Sequence, residues 1–344
     1  MLEHAGLARS APDSARFGLE VWRATRLDGD PLPALLASAA DVAIYRLPVG
    51  DSQRVRALAG LGFEVIDAGV LVYYTVDLQR HVPHASTNAD VDISPATPAD
   101  DDALAALVDA SFNGYASHYF ANPLFAPDLA LAGYREWALA HRGGARTASW
   151  VARRAGRIVA FACCEADAAA GIANGGIYGV LPSESGSGLF GDLIRHTQRH
   201  YRALGFAEMR MSTKVDNFAV QKVWAREGYH LYAAYDTLHV NAMLGAPGVR
   251  TVSRDYAAGA LRDQAGGWPL PPGDIAALLA DACDANVQID MLAQLPLAAL
   301  DARRAHTLEL RQGWASTAGL RRANAWLRDD AGRACALVQA GFRT

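Results

Sequence analysis

The chain has 344 residues, of which 51% are hydrophobic and 20% charged, so it is long enough for two or three domains that bury real cores. A net charge of −4 gives no global attraction to nucleic acid or to an anionic membrane, and no apolar run is long enough to span a bilayer. Residues 1–16 lack the basic-then-apolar plan of a signal peptide, and the cysteines are sparse: Cys163, Cys164, Cys283 and Cys335. We therefore expect a cytoplasmic protein whose cysteines are reduced packing residues.

The first eighty residues show a short α/β pattern. Residues 42–47 are apolar enough for a strand, and residues 52–61 predict a helix. Residues 63–66 and 70–76 are rich in β-branched and aromatic side chains, which predicts two further strands. Residues 81–90 are polar and show no periodicity, so we predict a linker there.

The stretch after residue 90 has the pattern of a complete α/β domain. Its predicted elements are strand 91–93, helices 100–112 and 127–141, strands 148–153, 157–165 and 173–180, helix 188–204, strand 207–213, helix 219–227 and strand 231–240. Residues 241–344 open on Gly/Pro-rich segments and then predict helices over 274–284, 297–314 and 320–340. We therefore divide the chain into an N-terminal part (1–88), a complete domain (89–243) and a mostly helical C-terminal extension (244–344).

A glycine-rich turn follows the predicted strand that ends at Val180. Pro182 stops the strand, and the small residues from Ser185 to Gly188 lead into the next helix. Gly186 and Gly188 let the backbone approach a ligand without a Cβ in the way, and successive N–H groups at a helix N-terminus form an anion cradle. Connecting turns often carry such glycines, so this turn alone leaves an ordinary strand-to-helix connection equally open.

Two motifs about thirty residues apart resemble those of the GNAT superfamily of CoA-dependent N-acyltransferases, over about 150 residues. The first family pattern is Pro-x-x-Arg-Gly-x-Gly-apolar-Gly-x-x-Leu, matched here from Pro182 to Leu193 with Ser185 for the arginine and Phe190 for the third glycine. The second is Asn-x-Ala-Ala/Val-x-x-apolar-Tyr-x-x-x-Gly-Phe, matched here by Asn217, Ala219, Val220, Val223, Trp224, Gly228 and Tyr229.

The resemblance implies an α/β GNAT acyltransferase fold, a central mixed sheet flanked by helices, with acetyl-CoA as co-substrate and no metal. It implies that amides of the glycine-rich turn hold the CoA pyrophosphate, and that the acyl carbonyl meets a backbone N–H where two strands separate. The residues carried over to the cofactor site are Gly179, Val180, Ser185, Gly186, Ser187, Gly188, Leu189, Asn217 and Trp224. Without the motif arginine, one charge-assisted contact to CoA is missing.

Acyl transfer from a thioester to an amine needs a free amine and a proton for the leaving thiolate. Glu165 ends the strand before the CoA strand, where many relatives keep a glutamate that deprotonates the amine; a solvated strand-end carboxylate is the alternative. Trp224 stands where many relatives keep a tyrosine that protonates the thiolate, and an indole has no usable proton to give. Tyr229 is our candidate for that role, with Tyr232, Tyr178 or solvent as alternatives.

The acceptor is predicted from two weaker resemblances. His118 and Tyr119 lie between the first two helices of the complete domain, where GNAT enzymes bind the acceptor; aromatic rings that anchor a loop to the core are the alternative. Residues 55–72 are similar to the N-terminal half of the dTDP-fucosamine acetyltransferase group. That similarity implies a partial GNAT-like half over residues 1–88, and as acceptor the primary amine of a nucleotide-linked amino sugar.

Other functions stay open at this stage. The chain is alternatively an N-acetyltransferase for another small amine or amino acid, or a catalytically degenerate GNAT domain that serves as a binding module. We expect no nucleic-acid or membrane partner, and residues 244–344 cap the sheet, form a homodimer contact or narrow the acceptor site. His196 and His200 lack a third ligand in the sequence, so we interpret them as residues of a solvent-facing helix rather than a metal pair.

Overall fold

The computed structural model describes residues 3–4, 6–31, 34–35, 38, 40–59, 63–144 and 146–242, and four strands over 288–296, 305–313, 320–329 and 334–343. The chain divides into a first unit, of Met1–Ala68, Phe120–Ala126 and Thr237–Thr344, and a second unit, of Gly69–Tyr119 and Pro127–Asp236. This geometric division does not follow the predicted boundaries at residues 88 and 243, because segments distant in sequence enter the same unit. Whether the predicted segments are separate folding domains stays a prediction.

The first unit opens on a small α/β arrangement. Its elements are β1 (Glu3–His4), β2 (Leu7–Arg9), α1 (Ala11–Phe17), β3 (Val21–Ala24), β4 (Val42–Pro48), α2 (Ser52–Ala59) and the start of β5 (Glu64–Asp77). Strands β1 to β4 lie side by side in chain order, antiparallel except for the parallel pair β3–β4. Their apolar side chains form one core that includes Trp22, Tyr45 and Leu58. The strand predicted over 42–47 and the helix predicted over 52–61 are confirmed by β4 and α2.

The second unit contains the elements predicted for the complete domain. After β5 come β6 (Val91–Pro95), α3 (Asp101–Phe112), α4 (Pro127–Ala140), β7 (Thr147–Arg154), β8 (Arg157–Asp167), β9 (Ile172–Val180), α5 (Leu189–Ala203), β10 (Glu208–Lys214), α6 (Phe218–Arg226) and the start of β11 (His230–Asn241). Local signals explain several of these bounds. Thr97 and Asp100 form a capping box before α3, and Ala155–Gly156, with φ of 48° and 79°, makes the tight turn between β7 and β8.

The sheet of the second unit is covered by helices on both faces. Its strand order is β11–β5–β10–β9–β8–β7–β6, with β9 and β10 parallel. Side chains alternate along β8: Phe161 and Cys163 pack with α3, whereas Ala162 and Cys164 pack with residues of α5 on the other face. The predicted mixed sheet flanked by helices is therefore confirmed. Cys163 and Cys164 are buried in these cores, as predicted for packing residues.

One strand replaces two that the sequence predicts. The strands predicted over 63–66 and 70–76 are the single strand β5, which continues through Gly69 at a φ of 94°. Pairing with β10 from Leu71 to Asp77 holds its second half. A glycine inside a β pattern suggests a break, but a paired strand can absorb one residue in the left-handed region.

The C-terminal part contains strands where the sequence predicts helices. The strands β12 (Gln288–Pro296), β13 (Ala305–Gly313), β14 (Leu320–Asp329) and β15 (Ala334–Arg343) form an antiparallel sheet in the order β12–β15–β14–β13. The helices predicted over 297–314 and 320–340 are wrong where these strands lie, and the helix predicted over 274–284 lies outside the described residues. Alanine and leucine favour a helix locally, but pairing between distant segments overrides that preference.

Candidate functional site

Two parallel strands of the second unit separate part of the way along their length. The pairing of β9 with β10 covers Ile172–Gly175 and Glu208–Met211 and then ends, although β9 continues to Val180 and β10 to Lys214. On its other side β9 stays paired with β8 as far as Val180. Beyond Gly175, the edge of β9 that faces β10 therefore presents backbone groups that the β9–β10 ladder does not use. We call the space between the two strand ends the gap.

A β-bulge marks the point where the gap begins. Cys163 of β8 pairs with Ile177 and Cys164 with Gly175, which leaves Gly176 as the extra residue in β9. A Cβ placed on Gly176 would lie 3.1 Å from Cζ2 of Trp137, so the indole of α4 lies directly over the bulge. Trp137 therefore covers the bulge at the point where the pairing of β9 with β10 ends.

The predicted cofactor residues Gly179 and Val180 lie further along the same strand. A Cβ on Gly179 would clash with the Phe161 ring and approach the Ser111 hydroxyl to 3.0 Å, so this position admits glycine alone without rearrangement. The Ser111 hydroxyl also donates to the Val180 carbonyl, at 3.2 Å. Both residues border the gap, which begins at Gly176, three residues before Gly179. Their role in binding the cofactor stays a prediction.

The glycine-rich turn joins β9 to α5. A short 3₁₀ helix covers Pro182–Glu184, and Gly186 and Gly188 then adopt φ of 79° and 87°, a conformation that other residues rarely accept. The turn is closed by hydrogen bonds from the Ser185 and Ser187 amides to the carbonyls of Pro182 and Glu184. Within the described residues, the backbone amides of Gly186 and Gly188 donate to no backbone carbonyl. The structure thus gathers Ser185, Gly186, Ser187, Gly188 and Leu189 at the N-terminus of a helix, the arrangement that binds anions.

Residues 81–90, predicted as a linker, are an ordered segment packed along α5, which we call the strap. The Thr87 and Asn88 amides donate to the Asp192 carboxylate at 2.7 and 3.0 Å, and Asn88 Nδ2 donates to the Ser187 carbonyl at 3.1 Å. Arg195 donates to the Ala85 carbonyl at 3.2 Å. These partners lie about a hundred residues away in the chain, so no local sequence pattern could reveal them. The strap therefore packs on the outside of the glycine-rich turn and supports it through the bond from Asn88 to Ser187.

Asp192 connects the strap to the first turn of α5. Its side chain is 2% exposed and forms an ion pair of 2.9 Å with Arg195, which also pairs with Glu227. Burial alone raises the pKa of Asp192, but hydrogen bonds from Asn88 and Thr87 and the Arg195 charge outweigh it, so the pKa lies below its ordinary value. The carboxylate is thus held ionised.

We expect Asp192→Asn to lower the free energy of unfolding at pH 7 by about 3 kcal/mol, because Arg195 and the strap amides lose a buried charge. Since the folded-state pKa is lowered, this stabilisation is present above the unfolded-state pKa of about 4 and is lost as pH falls through the folded-state value. Urea unfolding of the two proteins at neutral pH and at about pH 2.5 measures the difference. A deficit of the same size at both pH values would contradict the assignment.

Glu165 lies on the same sheet as the gap, one strand away. It pairs with Asn174 of β9, next to the last paired residue before the gap. Its side chain is half exposed, and its Oε1 lies 2.9 Å from Nε2 of the buried His141. Sequence reasoning missed His141. Its position four residues after Trp137, at the end of α4, would have signalled a shared helix face.

A row of aromatic rings leads from the end of α3 along α4 to this carboxylate. Phe112 and Tyr134 stack with centroids 4.7 Å apart, and the Tyr134 and Trp137 centroids are 6.4 Å apart. Tyr115 contacts Phe112 edge-on at 5.4 Å, and its hydroxyl is hydrogen-bonded to Thr213 of β10. Burial raises the pKa of Tyr115, so its phenol stays protonated. The rings form one side of a site whose other side is the gap.

His118 and Tyr119, the predicted acceptor residues, lie in a short 3₁₀ helix, His118–Ala121. Both side chains are half-buried, and their rings are 4.1 Å apart. The segment stands between α3 and α4, as expected. A role in binding the acceptor stays a prediction.

The second motif forms α6 and the strand after it. Asn217 caps α6, because its side chain accepts from the Val220 amide, and its Nδ2 donates to Thr213 at 3.0 Å. Trp224 and Tyr229 are 3% and 4% exposed and belong to the core between the sheet and α5. Burial raises the pKa of Tyr229 well above its ordinary value, so its phenol holds its proton. The N-cap predicted at Asn217 is confirmed; the cofactor and catalytic roles of these residues stay predictions.

We expect Trp224→Ala to destabilise the protein by about 3–5 kcal/mol, because it removes a large buried ring that packs on Tyr74 at 5.4 Å. Trp224→Phe serves as the control, since it keeps most of the buried volume and should cost much less. Denaturant unfolding of both variants measures the two losses. An alanine variant as stable as the wild type would show that the site is not close-packed.

His196 and His200 are not on a solvent-facing surface, contrary to the sequence-based interpretation. Both rings pack against Trp150, with centroids 5.7 and 4.9 Å away, and both side chains are half-buried. Burial lowers the pKa of His196 to about 4, so its ring is neutral at physiological pH. Neither histidine belongs to a group of three or more potential metal ligands within the described residues. The hydrophobic contact comes from Trp150 on β7, which the helix pattern alone does not show.

Comparisons with known proteins found similarity among solved structures alone. No family model matches the chain, and no curated protein matches it. Among solved structures, the chain is similar to a GCN5-related N-acetyltransferase from Sphaerobacter thermophilus, at 15% identity and a TM-score of 0.47, over 71% of this chain and 76% of that one. A GCN5-related N-acetyltransferase from Kribbella flavida matches at 16% identity and a TM-score of 0.48, over 70% and 88% of the two chains.

A third similar structure is a tandem GNAT protein from the clavulanic acid biosynthesis pathway, at 15% identity and a TM-score of 0.45, over 65% of this chain and 76% of that one. At identities and TM-scores this low, the similarity carries no argument, so both the fold and the chemistry are argued from the structure itself. Within the described residues, no helix has both the length and the apolar character that crossing a membrane requires.

Proposed function

We propose that the second unit is an acetyl-CoA-dependent N-acetyltransferase that acetylates a primary amine. The observation that carries the proposal is one continuous arrangement on β9. The strand separates from β10 at a bulge, borders the gap, and ends in a glycine-rich turn with open amides at a helix N-terminus. A long, thin ligand with an anionic end suits this arrangement.

The residues fit acetyl-CoA. A Cβ placed on Gly186 would meet nothing within 4 Å, so the backbone of this left-handed residue is open on that side, where the pyrophosphate would lie. The amides of Gly186 and Gly188 and the start of α5 would hold it, with Ser185 offering a hydroxyl in place of the motif arginine. When bound, acetyl-CoA supplies the activated acyl group. Backbone N–H groups of β9 along the gap would polarise its carbonyl.

Glu165 is the proposed general base. It is the carboxylate beside the start of the gap, half exposed, and one of its oxygens is already occupied by His141. The other oxygen is left to accept the proton of an incoming ammonium. Holding amine and thioester side by side supplies a large part of the remaining rate.

The proton for the leaving thiolate is best supplied by solvent. Trp224 has no proton to give, and the buried Tyr229 phenol, with its raised pKa, is a poor acid. Coenzyme A thiol is acidic enough to leave as the thiolate and be protonated afterwards. We therefore no longer favour Tyr229 as the acid and place it among the packing residues.

The acceptor we favour is the amino group of a nucleotide-linked amino sugar. The aromatic row of Phe112, Tyr115, Tyr134 and Trp137 supports an acceptor that carries rings, because flat amphipathic side chains stack on sugars and bases. Trp137 is 38% exposed and so is accessible to such a ligand. Another small amine or an amino acid would use the same base without using this row.

Two measurements test the proposal. Calorimetric titration with acetyl-CoA should give saturable binding. A released-thiol assay is run with nucleotide-linked amino sugars, simple amines and amino acids as acceptors, and it should give turnover with some of them, the nucleotide-linked amino sugars included. Binding without turnover on any amine would favour the non-catalytic binding module. Absence of both would overturn the proposal.

A further inference from the structure

A buried histidine contacts the side chain of Glu165, the proposed base. The His141 side chain is 5% exposed, and its Nε2 lies 2.9 Å from Glu165 Oε1. Its Nδ1 lies 2.7 Å from the Trp137 carbonyl, four residues earlier at the end of α4. The ring therefore links the helix end that covers the bulge to the carboxylate beside it.

The partners of His141 hold both nitrogens of its ring. The Trp137 carbonyl can only accept, so Nδ1 donates to it. Nε2 has two neighbours, Glu165 Oε1 at 2.9 Å and Trp137 Nε1 at 3.1 Å, and it cannot donate to one while accepting from the other. The contact between Nε2 and Oε1 is the shorter of the two, and it holds the Glu165 side chain against the ring whichever of these two atoms carries the shared proton.

This geometry restrains the carboxylate. A glutamate at a half-exposed strand position samples several rotamers, and each of them would move the basic oxygen relative to the gap. The bond to a buried, doubly anchored ring selects one orientation. It occupies Oε1 and leaves Oε2 as the acceptor.

We propose that His141 is a positioning residue for Glu165, which acts through the contact between its Nε2 and Glu165 Oε1. The inference rests on the function proposed above, in which Glu165 is the base. His141 holds the carboxylate in place and does not itself touch the reacting atoms. The proton that Glu165 accepts from the amine goes to Oε2.

Two amide substitutions separate the two contacts of the ring. His141→Gln places an N–H donor near the former Nε2 and so can keep the bond to Glu165. His141→Asn places its amide near the former Nδ1 and can keep the bond to Trp137 alone. We expect His141→Asn to lower kcat by roughly ten- to a hundredfold, the scale of a misplaced catalytic group, and His141→Gln to stay within about threefold of wild type. The KM for acetyl-CoA should not change in either.

A purely structural role predicts a different outcome. If the two variants lose kcat equally, or lose it only in proportion to a fall in thermal stability, the positioning role is overturned. In a Glu165→Gln background both substitutions should leave the residual kcat unchanged, because there is no base left to position. A wild type that binds no acetyl-CoA and acetylates no amine would instead overturn the proposed function. Full activity in His141→Asn, with Glu165→Gln inactive, would overturn this inference alone.

Discussion

Glu165→Gln is expected to lower kcat by roughly two to four orders of magnitude and to leave the affinity for acetyl-CoA unchanged. The amide keeps the shape of the side chain and can still contact His141, but it cannot accept the ammonium proton, and the contribution of a positioned general base has this size. Single-turnover and steady-state rates measured with the released-thiol assay give kcat, and calorimetry gives the affinity for acetyl-CoA.

Asp167→Asn is the matched control for this prediction. Asp167 belongs to the same strand, β8, two residues beyond Glu165, and its carboxylate accepts from the Ala170 amide in the turn that follows. Removing its charge changes the net charge of the protein by the same amount without touching the proposed base. Turnover in Glu165→Gln close to that of Asp167→Asn would mean that bulk solvent deprotonates the amine.

Gly188→Glu is expected to abolish measurable binding of acetyl-CoA. The residue has a φ of 87°, and a Cβ there would lie 3.6 Å from Thr87 and Asn88 of the strap. A glutamate therefore strains the turn and places a negative charge where the pyrophosphate must sit. Calorimetric titration measures the loss.

Gly205→Glu is the control that separates an effect on the cofactor site from an effect of backbone strain. Gly205, just after α5, has a φ of 84°, and a Cβ at this position would meet nothing within 4 Å, so the same substitution costs similar strain far from the turn. We expect this variant to bind acetyl-CoA normally. A folded Gly188→Glu protein with unchanged affinity would remove the glycine-rich turn from the cofactor site.

The secondary structure of the second unit could be predicted because its signals are local. The capping box at Thr97 and Asp100, the Ala155–Gly156 turn, and the glycines between β9 and α5 each act within a few residues. The alternation of side chains along β8 likewise indicates that both faces of the strand are buried, although it does not show which elements cover them. The resemblance between short motifs, rather than these local signals, is what indicated Glu165 and the glycine-rich turn as candidate site residues.

Every feature formed by residues that are distant in the chain could be found only from the tertiary structure. The strap pairs with Asp192 more than a hundred residues later, His141 meets Glu165 across 24 positions, and Trp150 covers His196 from another strand. In the C-terminal part, strand pairing overrides a helix-favouring composition. By itself the sequence determined the order of the helices and strands, and it determined the backbone freedom that the glycines give the turn between β9 and α5. Only the folded chain decided where β9 leaves β10 and which side chain holds the base, because hydrogen bonds and packing between distant segments have no local signature.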